Sequence, residues 1–402
     1  ELLPVSERLE ELFGKLDAKY FLPEGSPTAK VRARVRSQLL AAARDYSNPE
    51  AELLETVAVE ADKALVKIQD RLNKGMIDPT AKIRLSESDP KVPFSYRPTR
   101  IGVYPVAADP FQWGHLLIAL RAVGELSVDK VVFVLAGDDA RKPNMTPVEQ
   151  RHPMGREVLD IFAPFFEYSP IAVGTTFDGE TNIFRILALN PQQGIEAWYM
   201  VGDDHYRLVD KNGNPDTLPK LETNYSRDMG HNTALHQLKV AFINREAPTE
   251  AVETGLEVRF LAHVGFEASS THVRNGQHTL MPHAAFDHAQ QKGLYGVSPM
   301  PAKPAQPIFD ESLRAQVALE LARLFTMEGY LGHSLSEGEP NHPTSYMREP
   351  HILVRMSHPA DLYRSSNKFP AKIAGLLIVY DFASNEGITR MSMTLTKTPP
   401  KK

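Results

Sequence analysis

Short apolar runs alternate with stretches of helical periodicity over residues 99–298, and this alternation constrains the fold more than any other feature of the chain. The apolar runs cover residues 101–106, 130–135, 168–173, 197–201 and 258–262, and stretches such as 147–162 and 182–189 separate them. Strands that alternate with helices predict a parallel sheet with helices on both faces. In such α/β folds, ligands bind outside the carboxyl ends of the strands.

The N-terminal region, residues 1–98, has the pattern of packed helices. We expect a first helix capped by Ser6, further helices at 28–46 and 49–72, and a proline-containing linker at 86–98. The apolar stripes favour a helical region that packs on the rest of the chain. A regulatory or oligomerising role is the alternative.

The C-terminal region, residues 299–402, begins with a second proline-rich linker. A predicted helix at 310–328 is followed by β-like runs at 351–356, 372–380 and 389–395. The chain is therefore expected to have three parts: a helical region and linker at 1–98, an α/β domain at 99–298 and a small α+β appendage at 299–402.

Composition narrows the class of protein. Cysteine is absent from the 402 residues, which excludes disulfides, thiolate catalysis and cysteine-based zinc sites. The formal net charge of −5 argues against a general nucleic-acid binder. No long apolar run or signal-peptide pattern is present, so we expect no membrane association and a cytoplasmic location. The sequence leaves open whether copies of the chain form a homo-oligomer.

Two segments have the pattern of anion-binding helix starts. Residues 109–115, Asp-Pro-Phe-Gln-Trp-Gly-His, follow the first apolar run and open a helical stretch. Residues 268–274, Ala-Ser-Ser-Thr-His-Val-Arg, form a second hydroxyl-rich start with an arginine one turn in. A helix N-terminus offers free N–H groups and partial positive charge to a phosphate. The pair therefore indicates nucleotide chemistry.

These two segments resemble the signature of the nucleotidylyltransferase superfamily, and in particular the nicotinate and nicotinamide mononucleotide adenylyltransferases. Residues 101–115 are similar to a strand followed by Gly-Gly-x-Phe-Asp-Pro-x-His-x-Gly-His, and residues 268–274 to Ile-Ser-Ser-Thr-x-Ile-Arg. The resemblance implies a Rossmann-like fold and an ATP-dependent transfer of AMP to a mononucleotide phosphate. Pyrophosphate would leave, and Mg²⁺ would accompany ATP without dedicated protein ligands. The chain's other histidines show no zinc-site pattern, so no metal site on the protein itself is expected.

The resemblance also implies roles for particular residues. Catalytic roles fall on His115, Arg274 and Gln112. His115 would donate to the α-phosphate, and Arg274 would pair with the triphosphate. The predicted ATP-binding residues are Ala107, Asp109, Gly114, His115, Ser269, Ser270, Thr271 and Arg274. The predicted mononucleotide-binding residues are Lys142, Arg151 and Asp204.

The chain departs from the family pattern at the first motif. Gln112 stands where the family usually has histidine or threonine, and glutamine cannot carry positive charge. Pro105 and Val106 replace paired glycines, and proline lacks a backbone donor. Trp113 would pack in the core or stack on a base. Two alternatives therefore stay open: a cytidylyltransferase acting on a phosphorylated alcohol, and a catalytically weakened nucleotide-binding regulatory module.

Overall fold

The computed structural model divides the chain into two compact units, Glu1–Pro299 and Met300–Lys402. In the first unit it describes residues 4–138, 142–175, 179–206, 208–228, 235–244, 254–264, 266 and 269–298. In the second unit it describes four backbone strands. The finer division into three domains at residues 98 and 298 stays a prediction.

Three helices form the N-terminal region: α1 (Val5–Lys19), α2 (Pro27–Asp45) and α3 (Ala51–Asn73). The prediction that Ser6 caps the first helix is wrong. Pro4 occupies that place with φ at −52°, an angle that its ring sets in advance, and the helix already includes Ser6. Ser26 caps α2 instead, where its Oγ accepts from the Ala29 N–H at 3.1 Å.

The N-terminal helices pack on the first helix of the α/β region and on the segment near residue 280. Helix α3 lies along the helix at Trp113–Glu125. Tyr46 donates from its hydroxyl to the Met281 carbonyl at 2.7 Å, and the Glu50 N–H donates to Thr279 Oγ1 at 3.1 Å. These contacts agree with the expectation of a region that packs on the rest of the chain.

A six-stranded parallel sheet forms the centre of the first unit, in the order β3-β2-β1-β4-β5-β6. The strands are β1 (Thr99–Val106), β2 (Lys130–Leu135), β3 (Phe166–Ser169), β4 (Ile195–Gly202), β5 (His236–Asn244) and β6 (Glu257–Ala262). The helices are α4 (Trp113–Glu125), α5 (Val148–Asp160), α6 (Gly179–Leu189), α7 (Asp203–Tyr206), α8 (Thr217–Asp228), α9 (Ser270–Arg274) and α10 (His283–Lys292).

The strand order confirms the predicted Rossmann-like α/β fold. The chain leaves β1 toward β2 and β3 on one side, then crosses to β4, β5 and β6 on the other. Ligands of doubly wound sheets bind at this reversal, outside the carboxyl ends of the two central strands. The loop that follows β1 therefore lies where a site is expected.

The sheet separates two apolar cores. One core holds buried side chains of α1 to α5, α10 and one sheet face, and the other holds those of α6, α8 and the opposite face. Helices thus cover both faces, as the strand–helix alternation predicts. No helix in the described part of the chain is long and apolar enough to span a membrane.

Two strands differ from their predicted form. Strand β5 has no counterpart among the predicted runs, because His236, Gln237 and Lys239 interrupt its apolar residues. Lys239 nevertheless fits, since its ammonium group lies 3.0 Å from Glu257 on the neighbouring strand. Strand β3 ends at Ser169 rather than near residue 173. The next residue, Pro170, has no backbone N–H to continue the pairing.

The described residues of the second unit form two antiparallel strand pairs. Strand β7 (Ser336–Glu337) pairs with β8 (Ile352–Leu353), and β9 (Leu376–Ala383) pairs with β10 (Gly387–Leu395). Strands β8, β9 and β10 overlap the β-like runs expected from the sequence, whereas β7 has no counterpart among them. The helix predicted at 310–328 and the linker at 299–307 lie outside the described residues.

Candidate functional site

The loop after β1 is held by two aromatic side chains that are fully buried. Phe111 and Trp113 are both 0% exposed, and Ala108 takes a left-handed backbone conformation with φ at 49°. The burial of Trp113 supports the packing interpretation of this side chain over stacking on a base. The loop therefore enters α4 along one determined path.

Helix α4 begins at Trp113 with Gln112 as its N-cap residue. The Gln112 side chain makes no capping hydrogen bond to the helix and is 5% exposed. His115 lies in the first turn and is partly exposed, with its ring edge-on to Phe111 at 6.1 Å and to Tyr104 at 6.2 Å between centroids. The imidazole therefore lies beside two aromatic rings at the start of the helix.

The second motif forms the short helix α9. Ser269 is its N-cap, and Oγ accepts from the His272 N–H at 3.2 Å. Ser270 donates from its hydroxyl to the Pro110 carbonyl at 3.0 Å, which joins the second motif to the first. Because this hydroxyl proton is already engaged, Ser270 is better placed to offer its backbone N–H than its side chain to a phosphate. Thr271 is exposed.

An ion pair between Asp109 and Arg274 links the two motifs directly. Arg274 Nη1 lies 3.1 Å from Asp109 Oδ2, and the chain separation is 165 residues. The Thr146 N–H lies 3.3 Å from each carboxylate oxygen, and the Tyr295 hydroxyl donates to Oδ1 at 2.9 Å. The structure therefore brings the two motif segments together, as the pairing of the motifs predicts.

Tyr295 is a site residue that the sequence analysis missed. It follows α10, lies outside both motifs and is 186 residues from its partner in the chain. Burial raises the pKa of the Tyr295 phenol above its ordinary value, and the nearby Asp109 charge adds to that effect. The phenol is therefore a neutral donor near neutral pH. A single tyrosine between Gly293 and Gly296 gives no sequence signal for such a role.

Arg151 occupies a supporting position in the site. Its side chain donates to three backbone carbonyls: Thr146 at 3.1 Å, Ala107 at 2.7 Å and Gly137 at 3.3 Å. Arg151 is 0% exposed, and burial lowers the pKa of its guanidinium. Contact with a mononucleotide would require these bonds to open. The geometry therefore supports a role in joining the ends of β1 and β2, and direct substrate contact stays an untested prediction.

Ala107 and Gly114 lie within this framework. The Ala107 carbonyl is one of the groups that Arg151 holds, and Gly114 is buried in the first turn of α4. Neither position offers a polar side chain, so any contact with ATP would come through the backbone.

Lys142 and Asp204 are exposed side chains at two other loops. Lys142 precedes α5, and Asp204 lies in the first turn of α7, directly after β4. The Asp204 carboxylate lies close to Gly202, so a side chain at position 202 would require the carboxylate to move. Their mononucleotide-binding roles stay predictions.

A buried histidine lies beside the site at the end of β2. His152 Nε2 lies 2.9 Å from the Ala136 carbonyl and Nδ1 lies 2.7 Å from the Tyr168 hydroxyl. A carbonyl can only accept, so Nε2 carries the proton and Nδ1 accepts from the phenol. Burial lowers the pKa of His152, which keeps the imidazole neutral.

Curated relatives of this chain bear one recurring description. The chain is 31% identical over 128 residues to the probable nicotinate-nucleotide adenylyltransferase of Thermus thermophilus. The matched residues cover 31% of this chain and 66% of the relative. It is 33% identical over 103 residues to that of a Roseiflexus species, 25% of this chain and 50% of the relative. It is 35% identical over 81 residues to that of a Thermoanaerobacter species, 19% of this chain and 37% of the relative. The chain thus spans from about a third to two thirds of the relatives it matches, and no family model matches it.

Solved structures with a partial likeness include the Plasmodium falciparum nicotinic acid mononucleotide adenylyltransferase complexed with NaAD. That structure is 10% identical, covers 50% of this chain and 100% of its own, and has a TM-score of 0.35. NadR protein in complex with NR is 13% identical and covers 57% of this chain and 62% of its own, with a TM-score of 0.28. The paired motifs and the curated relatives identify the chain as a member of the nucleotidylyltransferase superfamily that is similar to the nicotinate-nucleotide adenylyltransferases.

Proposed function

We propose that the protein is an adenylyltransferase that transfers AMP from ATP to nicotinate or nicotinamide mononucleotide and releases pyrophosphate. The observation that supports this most strongly is the Asp109–Arg274 ion pair, which places the arginine of the second motif beside the loop of the first. The site also lies at the strand reversal, where doubly wound sheets bind their ligands. The names of the curated relatives support the same activity.

The proposed reaction is an in-line displacement at the α-phosphorus. An oxygen of the mononucleotide phosphate bonds to this phosphorus, and the bond to the oxygen bridging to the β-phosphate breaks. The electron pair leaves with pyrophosphate, so no covalent enzyme intermediate is needed. Positioning and charge stabilisation would provide the rate enhancement, as in other phosphoryl transfers.

His115 and Arg274 take the two charged positions in this proposal. His115, in the first turn of α4, would donate to a non-bridging α-phosphate oxygen as charge develops there. Arg274, whose side chain is 40% exposed, would bind the β- and γ-phosphates. Gln112 at the N-cap would add an uncharged donor.

ATP would enter as its magnesium complex, so the ion belongs to the substrate. Within the described ranges, no group of three or more His, Asp or Glu side chains is arranged to hold a metal. The buried Asp109 carboxylate is already bound by Arg274 and Tyr295. A phosphate-bound Mg²⁺ needs few protein ligands, and these residues fit that arrangement.

Lys142 and Asp204 would bind the mononucleotide on the β2 and β4 sides.

Pyrophosphate release tests the proposal. The full chain is incubated with MgATP and, separately, with nicotinate mononucleotide, nicotinamide mononucleotide and no acceptor. We expect release that depends on one of the two mononucleotides, with a dinucleotide as the second product. Release with CTP and a phosphorylated alcohol, but not with ATP, would overturn the proposed base and acceptor.

A second candidate is a nucleotide-binding regulatory module. The observation that favours it is Gln112, which stands where the family usually has histidine or threonine, cannot carry positive charge and makes no capping bond to α4. A thermal shift with ATP, together with no pyrophosphate release from either mononucleotide, would select this candidate. No thermal shift with ATP or CTP would exclude both candidates.

A further inference from the structure

Tyr295 and Arg274 bind opposite oxygens of one buried carboxylate. The Tyr295 hydroxyl donates to Asp109 Oδ1 at 2.9 Å, and Arg274 Nη1 donates to Oδ2 at 3.1 Å. Asp109 is 3% exposed, so both bonds to it form in a region from which water is largely excluded. Charge-assisted hydrogen bonds are stronger in such surroundings than at the surface.

Tyr295 is itself held firmly by its surroundings. Its side chain is 8% exposed, and its carbonyl lies 3.1 Å from His278 Nε2, which donates to it. Its backbone is left-handed with φ at 56°, a conformation that a bulky residue rarely adopts without support. The hydroxyl therefore has little freedom to leave Asp109.

The consequence of this arrangement falls on Arg274. Without the tyrosine, Asp109 would be held by the arginine and by the Thr146 N–H, which lies 3.3 Å from each carboxylate oxygen and so favours neither. The carboxylate could then rotate about its Cβ–Cγ bond and carry the guanidinium with it. With Oδ1 fixed by the tyrosine, Oδ2 accepts from the arginine in one orientation. The Arg274 side chain is 40% exposed, so the part of the guanidinium away from Asp109 lies at the surface. A guanidinium has five N–H donors, and the bond to Asp109 uses a donor on Nη1.

This inference rests on the proposed function. We propose that Tyr295 is a positioning residue for the triphosphate of ATP: it holds Asp109 so that Arg274 is aimed at the phosphates before the nucleotide binds. A group oriented in advance loses less freedom on binding, which raises affinity without a new contact. The substrate itself touches Arg274 and not the tyrosine.

A double-mutant cycle between Tyr295→Phe and Arg274→Ala tests the proposal. Tyr295→Phe should raise the KM for ATP by about tenfold and change kcat by less than about twofold, since one hydrogen bond to a charged group is lost. In the Arg274→Ala background the same substitution should change KM by less than about twofold, because the tyrosine acts through the arginine. Equal effects in both backgrounds would overturn the proposal.

Tyr46→Phe is the matched control. It removes another buried hydroxyl, bonded to the Met281 carbonyl at 2.7 Å, and should leave the KM for ATP unchanged. If Tyr295→Phe fails to fold, a cycle of Asp109→Asn with Arg274→Ala tests the same chain of contacts. Additive effects of these two substitutions on the KM for ATP would overturn the proposal that Asp109 acts through Arg274. A wild-type protein that neither binds ATP nor releases pyrophosphate overturns the proposed function as well, whereas an active wild type with an unchanged Tyr295→Phe variant overturns this inference alone.

Discussion

At the scale of single residues, two buried charged side chains determine the geometry of the candidate site. Asp109 accepts from Arg274, Tyr295 and the Thr146 backbone, and Arg151 donates to three carbonyls. Burying a charge is costly unless hydrogen bonds compensate, and removing the partners exposes that cost. The loops around the site are therefore coupled through a few strong interactions.

His115→Ala tests the catalytic role of the imidazole. We expect turnover to fall by more than about tenfold with little change in ATP affinity, because the interaction should strengthen as charge develops on the α-phosphate. Steady-state pyrophosphate release gives kcat, and calorimetric titration gives the affinity. Unchanged turnover would remove His115 from the mechanism.

Arg151→Lys tests the supporting role of the buried guanidinium. Lysine keeps the charge but cannot reach three carbonyls in different directions, so the free energy of unfolding should fall by about 2–4 kcal/mol. Arg156→Lys, an exposed position on the same helix, is the control and should change it by less than about 0.5 kcal/mol. Denaturant unfolding measures both. Equal stability of the two variants would contradict the assignment.

At the scale of elements, the close approach of α5 to the sheet determines where the site loops lie. A Cβ at Gly155 would be 2.5 Å from Leu135 Cδ2 and 3.2 Å from Phe111 Cε2. Phe111 in turn packs edge-on against His115, at 6.1 Å between ring centroids. Glycine therefore lets α5 lie against both β2 and the loop that enters α4.

Gly155→Ala should lower the free energy of unfolding by about 1–3 kcal/mol, because the added methyl overpacks a buried interface. Gly14→Ala is the matched control in a helix, since nothing lies within 4 Å of its Cβ position. That control should stabilise the protein by up to about 1 kcal/mol through helix propensity. Chemical denaturation of both variants checks the opposite signs. A stabilised Gly155→Ala would show that α5 has room that the packing distances exclude.

At the scale of the whole molecule, the first unit joins the N-terminal helices to the segment behind the site. Tyr46 and Glu50 bind Met281 and Thr279, which lie between α9 and α10, and Gln38 accepts from the Ala284 N–H in the first turn of α10. That segment connects Arg274 to Tyr295. The N-terminal helices therefore pack against the part of the chain that joins the two site residues.

Stability should depend on pH through two buried histidines. Burial lowers the pKa of His152 and of His236 below the ordinary value of 6.5. As the pH falls through 6.5, the unfolded chain takes up protons that the folded chain does not, so the free energy of unfolding should decrease. The slope can reach about 1.4 kcal/mol per pH unit for each histidine. Unfolding curves between about pH 5 and 8 measure it.

The double variant His152→Gln and His236→Gln should lose most of this slope, while each single variant should lose part of it. Glutamine can donate and accept at both positions but does not titrate. An unchanged slope in the double variant would show that other groups cause the acid destabilisation.

The amino-acid sequence was enough to predict the α/β class, most strand positions and the two helix-start motifs that the structure brings together. These features arise from local periodicity and from residue types at short spacing, which a single chain segment contains in full. It missed β5, whose polar residues find their partners only on neighbouring strands. It also did not indicate that Arg151 is buried against three backbone carbonyls, because an arginine beside a loop looks the same in the sequence whether it is buried or exposed, and its predicted mononucleotide contact stays a prediction.

Which of those residues lie in contact became known only from the folded chain. The Asp109–Arg274 pair spans 165 residues, and Tyr295 joins it from 186 residues away. No local pattern specifies such distances, since they follow from the strand order of the sheet and from the packing of α9 and α10 against it. Burial likewise assigned Trp113 to the core and Arg151 to the backbone of the site, because exposure depends on everything that surrounds a side chain.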